Sequence, residues 1–356
     1  MKKIINPNFW KNKKVFVTGH TGFKGSWLCL VLKSLGAHVT GYSLKPYSHT
    51  NLFDQAKIKN FINKSIIGDI RDRSKIHSAI KNSKATIIFH LAAQALVRRS
   101  YTNPIETIET NANGTLNILN AIKNIQSIKS AVLVTSDKVY DVRKNKVFKE
   151  SDLLGGIDPY SASKVCCETI FYSYVNSFFT KDRRKILATA RAGNVIGGGD
   201  YSEDRLIPDI IRSVDKNKKI IVRNPNSIRP WQHVLEPLSG YIILAEKLFN
   251  KNMKNDNQSW NFGPDLKNCK TVSYIAKKFS NSYKVKIKIK KDNKKNLKKE
   301  TGLLRLNNNK AKKTLNWHPK WSLDESIKKI IEWHKGGKNF NKRLLCVRQI
   351  YEYFQF

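Results

Sequence analysis

The stretch Lys14–Trp27, KVFVTGHTGFKGSW, limits what the chain can fold into more than any other. Val15, Phe16 and Val17 form a short apolar run of the length of a buried parallel strand. Gly19, Gly22 and Gly25 follow in a G-x-x-G-x-x-G turn, and Trp27, Leu28, Leu30, Val31 and Leu32 open an apolar helix face. Strand, glycine turn and helix in that order make a dinucleotide-binding unit. The glycines let backbone approach a pyrophosphate, and the helix N-terminus offers free N–H groups and a partial positive charge.

Downstream, strand and helix patterns alternate. The first helix runs to about Gly36, and further strands are expected at His38–Tyr42, Ile66–Ile67, Thr86–His90, Ala131–Val134 and Ile186–Arg191. Helices start near Lys75, cover Pro104–Ile125 and begin again at Pro159. Such alternation marks a parallel α/β sheet, and the fold class expected is a Rossmann-type doubly wound parallel sheet with a smaller C-terminal α/β substrate domain. Beyond the sixth strand the texture changes. Asn194–Asp200 (NVIGGGD) reads as a flexible loop, Leu206–Val214 as a helix, Ile220–Val222 as a strand and Glu236–Phe249 as a helix packing back on the first domain. Smaller pieces follow: a helix at Thr271–Phe279, a lysine-faced strand, and helices near Lys310 and Ser322.

With 356 residues, of which 40% are hydrophobic, the chain can bury one large core or two that share a cleft. It has no run of ~18 apolar residues, so no membrane span is expected, and its basic N-terminus lacks the apolar segment of a signal peptide. None of the five cysteines forms a C-x-x-C pair, which speaks against a bound metal or a disulfide framework and for a reducing cytoplasm. The net charge of +39 raises the question of nucleic acid. The lysines are spread along the chain, however, and the densest run, Lys284–Lys299, begins as the Val/Ile–Lys alternation of a strand with one wet face. A solvated surface is the expectation, with no nucleic-acid partner; any such attraction would be salt-sensitive.

In a doubly wound sheet, ligands lie beyond the carboxyl ends of the strands. Many NAD-binding units carry an acid at the end of the second strand, but here that strand ends Gly41-Tyr42-Ser43. His20 and Lys24, in the glycine turn, are placed to favour an extra phosphate, so local chemistry leaves NAD and NADP open. Asp69 either bonds an adenine amino group or serves as a turn or cap before the helix from Lys75. Ala92 and Ala93 are small enough to let a cofactor pass close over the sheet end. Asn111 in mid-helix costs propensity and implies a hydrogen-bonding task. The fifth strand runs into Thr135-Ser136-Asp137-Lys138, and in Asp158-Pro159-Tyr160-Ser161-Ala162-Ser163-Lys164 the Tyr and Lys share a helix face.

Tyr160-x-x-x-Lys164 together with the glycine turn resembles the extended short-chain dehydrogenase/reductases, over nearly the whole chain from Val15 to Trp333. Within them, GHTGFKGSWL (Gly19–Leu28), TSDKVYD (Thr135–Asp141), DPYSASK (Asp158–Lys164), RAGNVIGGGD (Arg191–Asp200), DRLIPDI (Asp204–Ile210) and RNPNSIRPWQHVLEPLSGY (Arg223–Tyr241) are similar to nucleotide-sugar 4,6-dehydratases of the CDP-glucose type. Relatives acting on dTDP-glucose carry Thr-Asp-Glu where this chain has Ser136-Asp137-Lys138, and the CDP-glucose type has Cys where Val139 stands, a position expected to be buried.

The resemblance implies NAD as cofactor, CDP-glucose as substrate and a homodimer formed through Pro104–Ile125 and Tyr160–Phe179. It divides the chain into an NAD-binding domain (1–195, with 228–262 packing back on it) and a nucleotide-sugar domain (196–356). The implied reaction moves hydride from C4 to C6 of the sugar with loss of water. Tyr160 takes the 4-hydroxyl proton, its pKa drawn down by Lys164 and the nicotinamide charge; Lys164 also holds the ribose, and Ser136 orients the hydroxyl. Asp137 is the acid at the 6-hydroxyl. Lys138 replaces the Glu base of relatives, and serves either as a base made neutral by burial or by stabilising the enolate charge. Cofactor contacts are implied for Gly19, Thr21, Gly22, Phe23, Gly25, Asp69, Ile70, Ala92, Tyr160 and Lys164, and substrate contacts for Asn194, Arg205, Arg223 and Arg229. The arginines would clamp the diphosphate with their planar fork. The alternative is a nucleotide-sugar 4-epimerase or a dehydratase of another NDP-hexose. An epimerase needs no acid/base pair for elimination, so Asp137-Lys138 favours dehydration.

Overall fold

The computed structural model describes residues 5–144, 146–180, 184–222, 224–251, 253, 259–289, 304–336 and 341–355. The apolar runs become seven strands: β1 Lys14–Thr18, β2 His38–Ser43, β3 Lys64–Ile67, β4 Ile87–His90, β5 Ser130–Val134, β6 Ile186–Ala192 and β7 Ser259–Phe262. They form one parallel sheet in the order β7-β6-β5-β4-β1-β2-β3. The order reverses between β1 and β4, which is where such a sheet opens a crevice for ligand.

Period-two alternation sends neighbouring side chains to opposite faces. Val15 and Val17 join one core with Trp27, Leu28 and Leu30 of α1 (Phe23–Ser34). Phe16 joins the other, with Ile76 and Ile80 of α2 (Arg73–Ser83), Ile118 and Ile122 of α3 (Gly114–Asn124) and Phe171 of α4 (Pro159–Tyr174). Both faces are therefore covered, and β4 and β6 are buried along their whole length. A second lobe gathers α5 (Leu206–Asp215), α7 (Val272–Tyr283) and α8 (Leu323–Lys335) around the parallel pair Ile220–Val222 and Ile287–Ile289. Its core includes Ile210, Ile220, Ile275, Phe279 and Ile327. Between the lobes in sequence, α6 (Leu235–Phe249) packs its Leu238 and Ile242 into the core of α1. Among the described residues, no helix is long and apolar enough to cross a membrane.

The structure departs from the sequence reading in four places. The helix expected over Pro104–Ile125 is interrupted by a π turn at Glu109–Asn113, which turns Asn111 inward. The Asn111 side chain accepts from Gln94 N (2.9 Å) and donates to Gln94 O (3.1 Å) and Ser163 Oγ (2.8 Å), tying the end of β4 to α4. Asn194–Asp200 is not a flexible loop: from Val195 to Asp200 it is buried, and Val195–Ile196 pairs with Gln232–His233. Its glycines give room rather than freedom, since a Cβ at Gly198 would lie 2.2 Å from the Trp333 ring. The helix Val97–Thr102 and the C-terminal helix α9 (Lys342–Phe354) were not foreseen. Cys346, Ile350 and Tyr353 of α9, with Trp317 and Trp321, share the core of Trp27 and Leu28, so the end of the chain returns to the first lobe. In the lysine-rich run, Ile289 is exposed, while residues 290–299 lie outside the described residues.

Candidate active site

The glycine turn at the crevice is a cradle in which a side chain has no room. Gly19 has φ +76°, and a Cβ there would lie 2.7 Å from Ala92 N. A Cβ at Gly25 would lie 2.0 Å from Gly19 O. Thr18 Oγ1 accepts from Leu91 N and Ala92 N (both 3.1 Å) and contacts His90 Nδ1 at 2.8 Å, which holds the Ala92 backbone over the turn. Gly22 caps α1 with no side chain, leaving the first turn open to an external acceptor. Thr21 Oγ1 lies 2.9 Å from Ser43 Oγ, the Phe23 ring abuts Gly197, and Ile70 packs against Gly114. This surface fits the pyrophosphate of a dinucleotide. Gly25→Ala is expected to abolish measurable dinucleotide binding and lower the melting temperature, because the clash is with backbone; calorimetric titration and a thermal melt check both.

Two residues of this rim differ from expectation. His20 does not reach toward a phosphate. Its ring is buried beneath Gly41, Nε2 lies 2.7 Å from Ser65 Oγ, and burial lowers its pKa to about 4, so it is neutral. Lys24 turns inward instead, with Nζ 5.8 Å from the centre of the Tyr241 ring. Burial, then the charges of Arg205 and Lys164, lower its pKa to about 8 against the opposing pull of Asp137. Asp69 serves the turn before that helix, its Oδ1 accepting from Arg71 N (2.9 Å), while Asp72 is the cap, accepting from Lys75 N at 2.9 Å. The Asp69 carboxylate is already held by Arg71, at 2.9 Å to Nε and 2.6 Å to Nη2, and this pairing keeps it below the usual carboxylate range.

Past the crevice, the end of β5 meets the start of α4. Asp158 caps α4 by accepting from Ser161 N (2.9 Å), and Pro159 opens the helix. Tyr160 and Lys164 thereby fall on the buried face, 7% and 5% exposed. Ser136 caps the turn Asp137–Val139, accepting from Lys138 N (3.2 Å), and its hydroxyl lies near enough to the Tyr160 phenol to draw its pKa down. Ser136 Oγ also donates to Asp137 Oδ1 (3.1 Å), and the Asp137 carboxyl backs onto Gly193, where a Cβ would be 2.8 Å from Oδ2. Burial raises the Asp137 pKa, although Lys138, Ser136 and Lys24 pull it down. Lys164 Nζ donates to Val134 O at 3.4 Å, and burial lowers its pKa.

The expected lowering of Tyr160 is not what the protein alone produces. Burial pushes the phenol up to about 12; the Ser136 hydroxyl and the Arg205 charge oppose this but are weaker. Lys138 is half-buried. Of the substrate candidates, Asn194 is exposed just past β6. Arg205 stands at the N-terminus of α5, 3.6 Å from Asp200, and its charge reaches Tyr160 and Lys24. Arg229 lies half-buried on Ile228–Pro230, paired with Cys269–Thr271, its Nη1 donating to Ile228 O at 3.0 Å. Arg223 lies outside the described residues. The sequence reading missed that Lys24 and Tyr241 line this side of the site. For Lys24 the signal was its place in the first turn of α1, which faces the crevice.

A Rossmann-type sheet whose strand β5 runs into a serine beside the tyrosine of a Tyr-x-x-x-Lys helix is the arrangement of an extended short-chain dehydrogenase/reductase. The profile of the GDP-mannose 4,6 dehydratase family matches residues 16–330, and the chain belongs to that family. It is 46% identical to the CDP-glucose 4,6-dehydratase of Salmonella typhimurium over 356 residues, 98% of either chain. It is 25% identical to the human dTDP-D-glucose 4,6-dehydratase, over 93% of this chain and 94% of that one. Two solved structures share the fold at 22% identity. The dTDP-glucose 4,6-dehydratase of Bacillus anthracis in complex with NAD has a TM-score of 0.75 and covers 94% of this chain and 99% of its own. The UDP-glucose 4-epimerase of Thermotoga maritima with UDP-glucose has a TM-score of 0.76 and covers 90% of this chain and 98% of its own.

Proposed function

We propose that the chain is a hydro-lyase that converts CDP-glucose to CDP-4-keto-6-deoxyglucose and water, with NAD as resident cofactor. The observation that carries this reading is the buried Asp137, its pKa raised by burial, beside Ser136 and Tyr160 in a chain 46% identical to a CDP-glucose 4,6-dehydratase along its whole length. Bound NAD supplies a two-electron acceptor that is regenerated within one turnover. Tyr160 takes the proton of the 4-hydroxyl, which Ser136 orients. Lys164 holds the ribose and adds positive charge behind the phenol. With C4 a ketone, the C5 proton becomes acidic and passes to the Lys138 amine, Asp137 protonates the departing 6-hydroxyl as water, and hydride then returns to C6 while C5 regains a proton. Asn194, Arg205, Arg223 and Arg229 are assigned to the sugar and its diphosphate.

We assign residues 1–195, with 228–262, to the cofactor domain and 196–356 to nucleotide-sugar binding, and place the protein in the cytoplasm. We further propose a homodimer through the helices of Pro104–Ile125 and Tyr160–Phe179, on which Ile105, Ile108, Leu116 and Tyr172 are exposed. Light scattering should give twice the chain mass, and Ile105→Glu with Tyr172→Glu should halve it. Incubation with CDP-, dTDP-, GDP- and UDP-glucose, read by mass spectrometry, tests the function. Loss of water from CDP-glucose, with deuterium moved from C4 to C6, is expected. A 4-epimer of unchanged mass would overturn the dehydratase reading.

A further inference from the structure

Beneath the turn that carries Ser136, Asp137 and Lys138 lies a buried ion pair that the chemistry above does not use. Glu168 follows Lys164 by one helical turn on α4, and Arg191 sits on β6. Their side chains are 3% and 4% exposed and meet at 2.9 Å. Arg191 Nε and Nη2 donate to the two Glu168 oxygens, Nη2 also to Ser259 Oγ (3.0 Å), and Nη1 to Tyr140 Oη (2.8 Å) and Glu150 O (3.1 Å). All the N–H donors of the guanidinium are thus used. Glu168 accepts further from Thr135 Oγ1 (2.6 Å) and Thr189 Oγ1 (2.9 Å). Burial pushes the Glu168 carboxyl up, but the Arg191 charge and these donors bring it below its usual range, so the pair is ionised.

A satisfied buried pair adds little net stability over a well-packed apolar one, so its stabilising effect does not account for its placement. Its contacts do. Thr135 is the residue before the catalytic turn, and Tyr140 is the residue after it. The Thr135 backbone is pinned to β6 (N to Ala190 O, 3.0 Å), and the Tyr140 ring stacks on Phe148 at 5.0 Å with its Oη donating to Asn261 (2.7 Å). Both ends of a very short segment are therefore anchored to one ion pair, and one partner of that pair stands on the helix of Tyr160 and Lys164.

We propose that Glu168 and Arg191, acting through Thr135 and Tyr140, are positioning residues that set the Ser136–Lys138 turn against Tyr160 and Lys164. The inference rests on the roles assigned above to Ser136 and Asp137. A displacement of a reacting group by about 1 Å can cost roughly 100-fold in rate, so the effect should appear in kcat.

The test is Thr135→Val, which removes one hydroxyl and leaves the ion pair intact. With wild type turning over CDP-glucose in parallel, the variant should keep KM and lose about 10- to 100-fold in kcat. Loss of water should slow more than exchange of the C5 proton with solvent, and Thr135→Ser should restore both. Independently of which sugar nucleotide is the substrate, a crystal structure of Thr135→Val should show the 136–139 turn displaced relative to the Tyr160 phenol. A folded Thr135→Val with wild-type kcat, an undisplaced turn, or a rate loss that merely follows the fraction of unfolded protein would each overturn the proposal. If wild type itself gives no 4-keto-6-deoxy product, the functional assignment fails, and the crystal structure alone then decides the positioning claim.

Discussion

Asp137→Asn is expected to stop the loss of water while leaving oxidation at C4 in place. The carboxyl is 6% exposed, and burial raises its pKa despite Lys138 and Lys24 nearby. It therefore keeps its proton to higher pH than an ordinary carboxyl, as an acid for a departing hydroxyl must. An amide of the same shape can hold the Ser136 hydrogen bond but has no acidic proton to give. Formation of the 4-keto-6-deoxy product should fall about 10³-fold, while deuterium from solvent still enters C5 of the recovered sugar nucleotide. The sign of the pH dependence follows: Asp137 acts when protonated, so the wild-type rate declines as pH rises through its pKa, and that limb disappears in the variant. Undiminished water loss in Asp137→Asn would remove this carboxyl from the chemistry.

Tyr160→Phe is expected to silence both steps. The phenol lies beside Ser136, and its ring is buried enough that Phe fits the same space. Without the hydroxyl, nothing on that helix face takes the 4-hydroxyl proton, and kcat should drop by about 10³-fold with substrate affinity little changed by calorimetry. With burial the largest influence, the phenol sits at about 12, and each unit by which it is lowered reflects about 1.4 kcal/mol of preferential stabilisation of the phenolate. Lys164 and the positive ring of bound NAD have the sign for that work. A base acts when deprotonated, so the wild-type rate falls as pH drops below the working pKa of Tyr160. A Phe variant that still exchanges the C5 proton would show that another group starts the reaction.

The crevice and its chemistry were largely legible before folding was considered, because each signal lies within a few residues. Val15 to Trp27 declares strand, turn and helix through side-chain period and glycine alone, and Asp158-Pro159 declares a helix start that puts Tyr160 and Lys164 on one face. The errors have one origin. His20 and Lys24 read as neighbours of the same phosphate, yet one lies under Gly41 and the other over Tyr241. The Gly197–Gly199 run read as mobile, yet it is pressed between Phe23, Leu52 and Trp333.

Local pattern was thus enough to specify the alternating strands and helices, the glycine cradle and the Tyr-Lys pair, since backbone propensity and near-neighbour spacing are carried by adjacent residues. The pairing of Glu168 with Arg191 beneath Thr135, the joining of β7 to the sheet, the return of α9 to Trp27 and the pKa directions at Tyr160 and Asp137 were decided by the assembled molecule. Each depends on burial and on contacts between segments far apart in the chain. Desolvation and close packing come into being only when those segments meet.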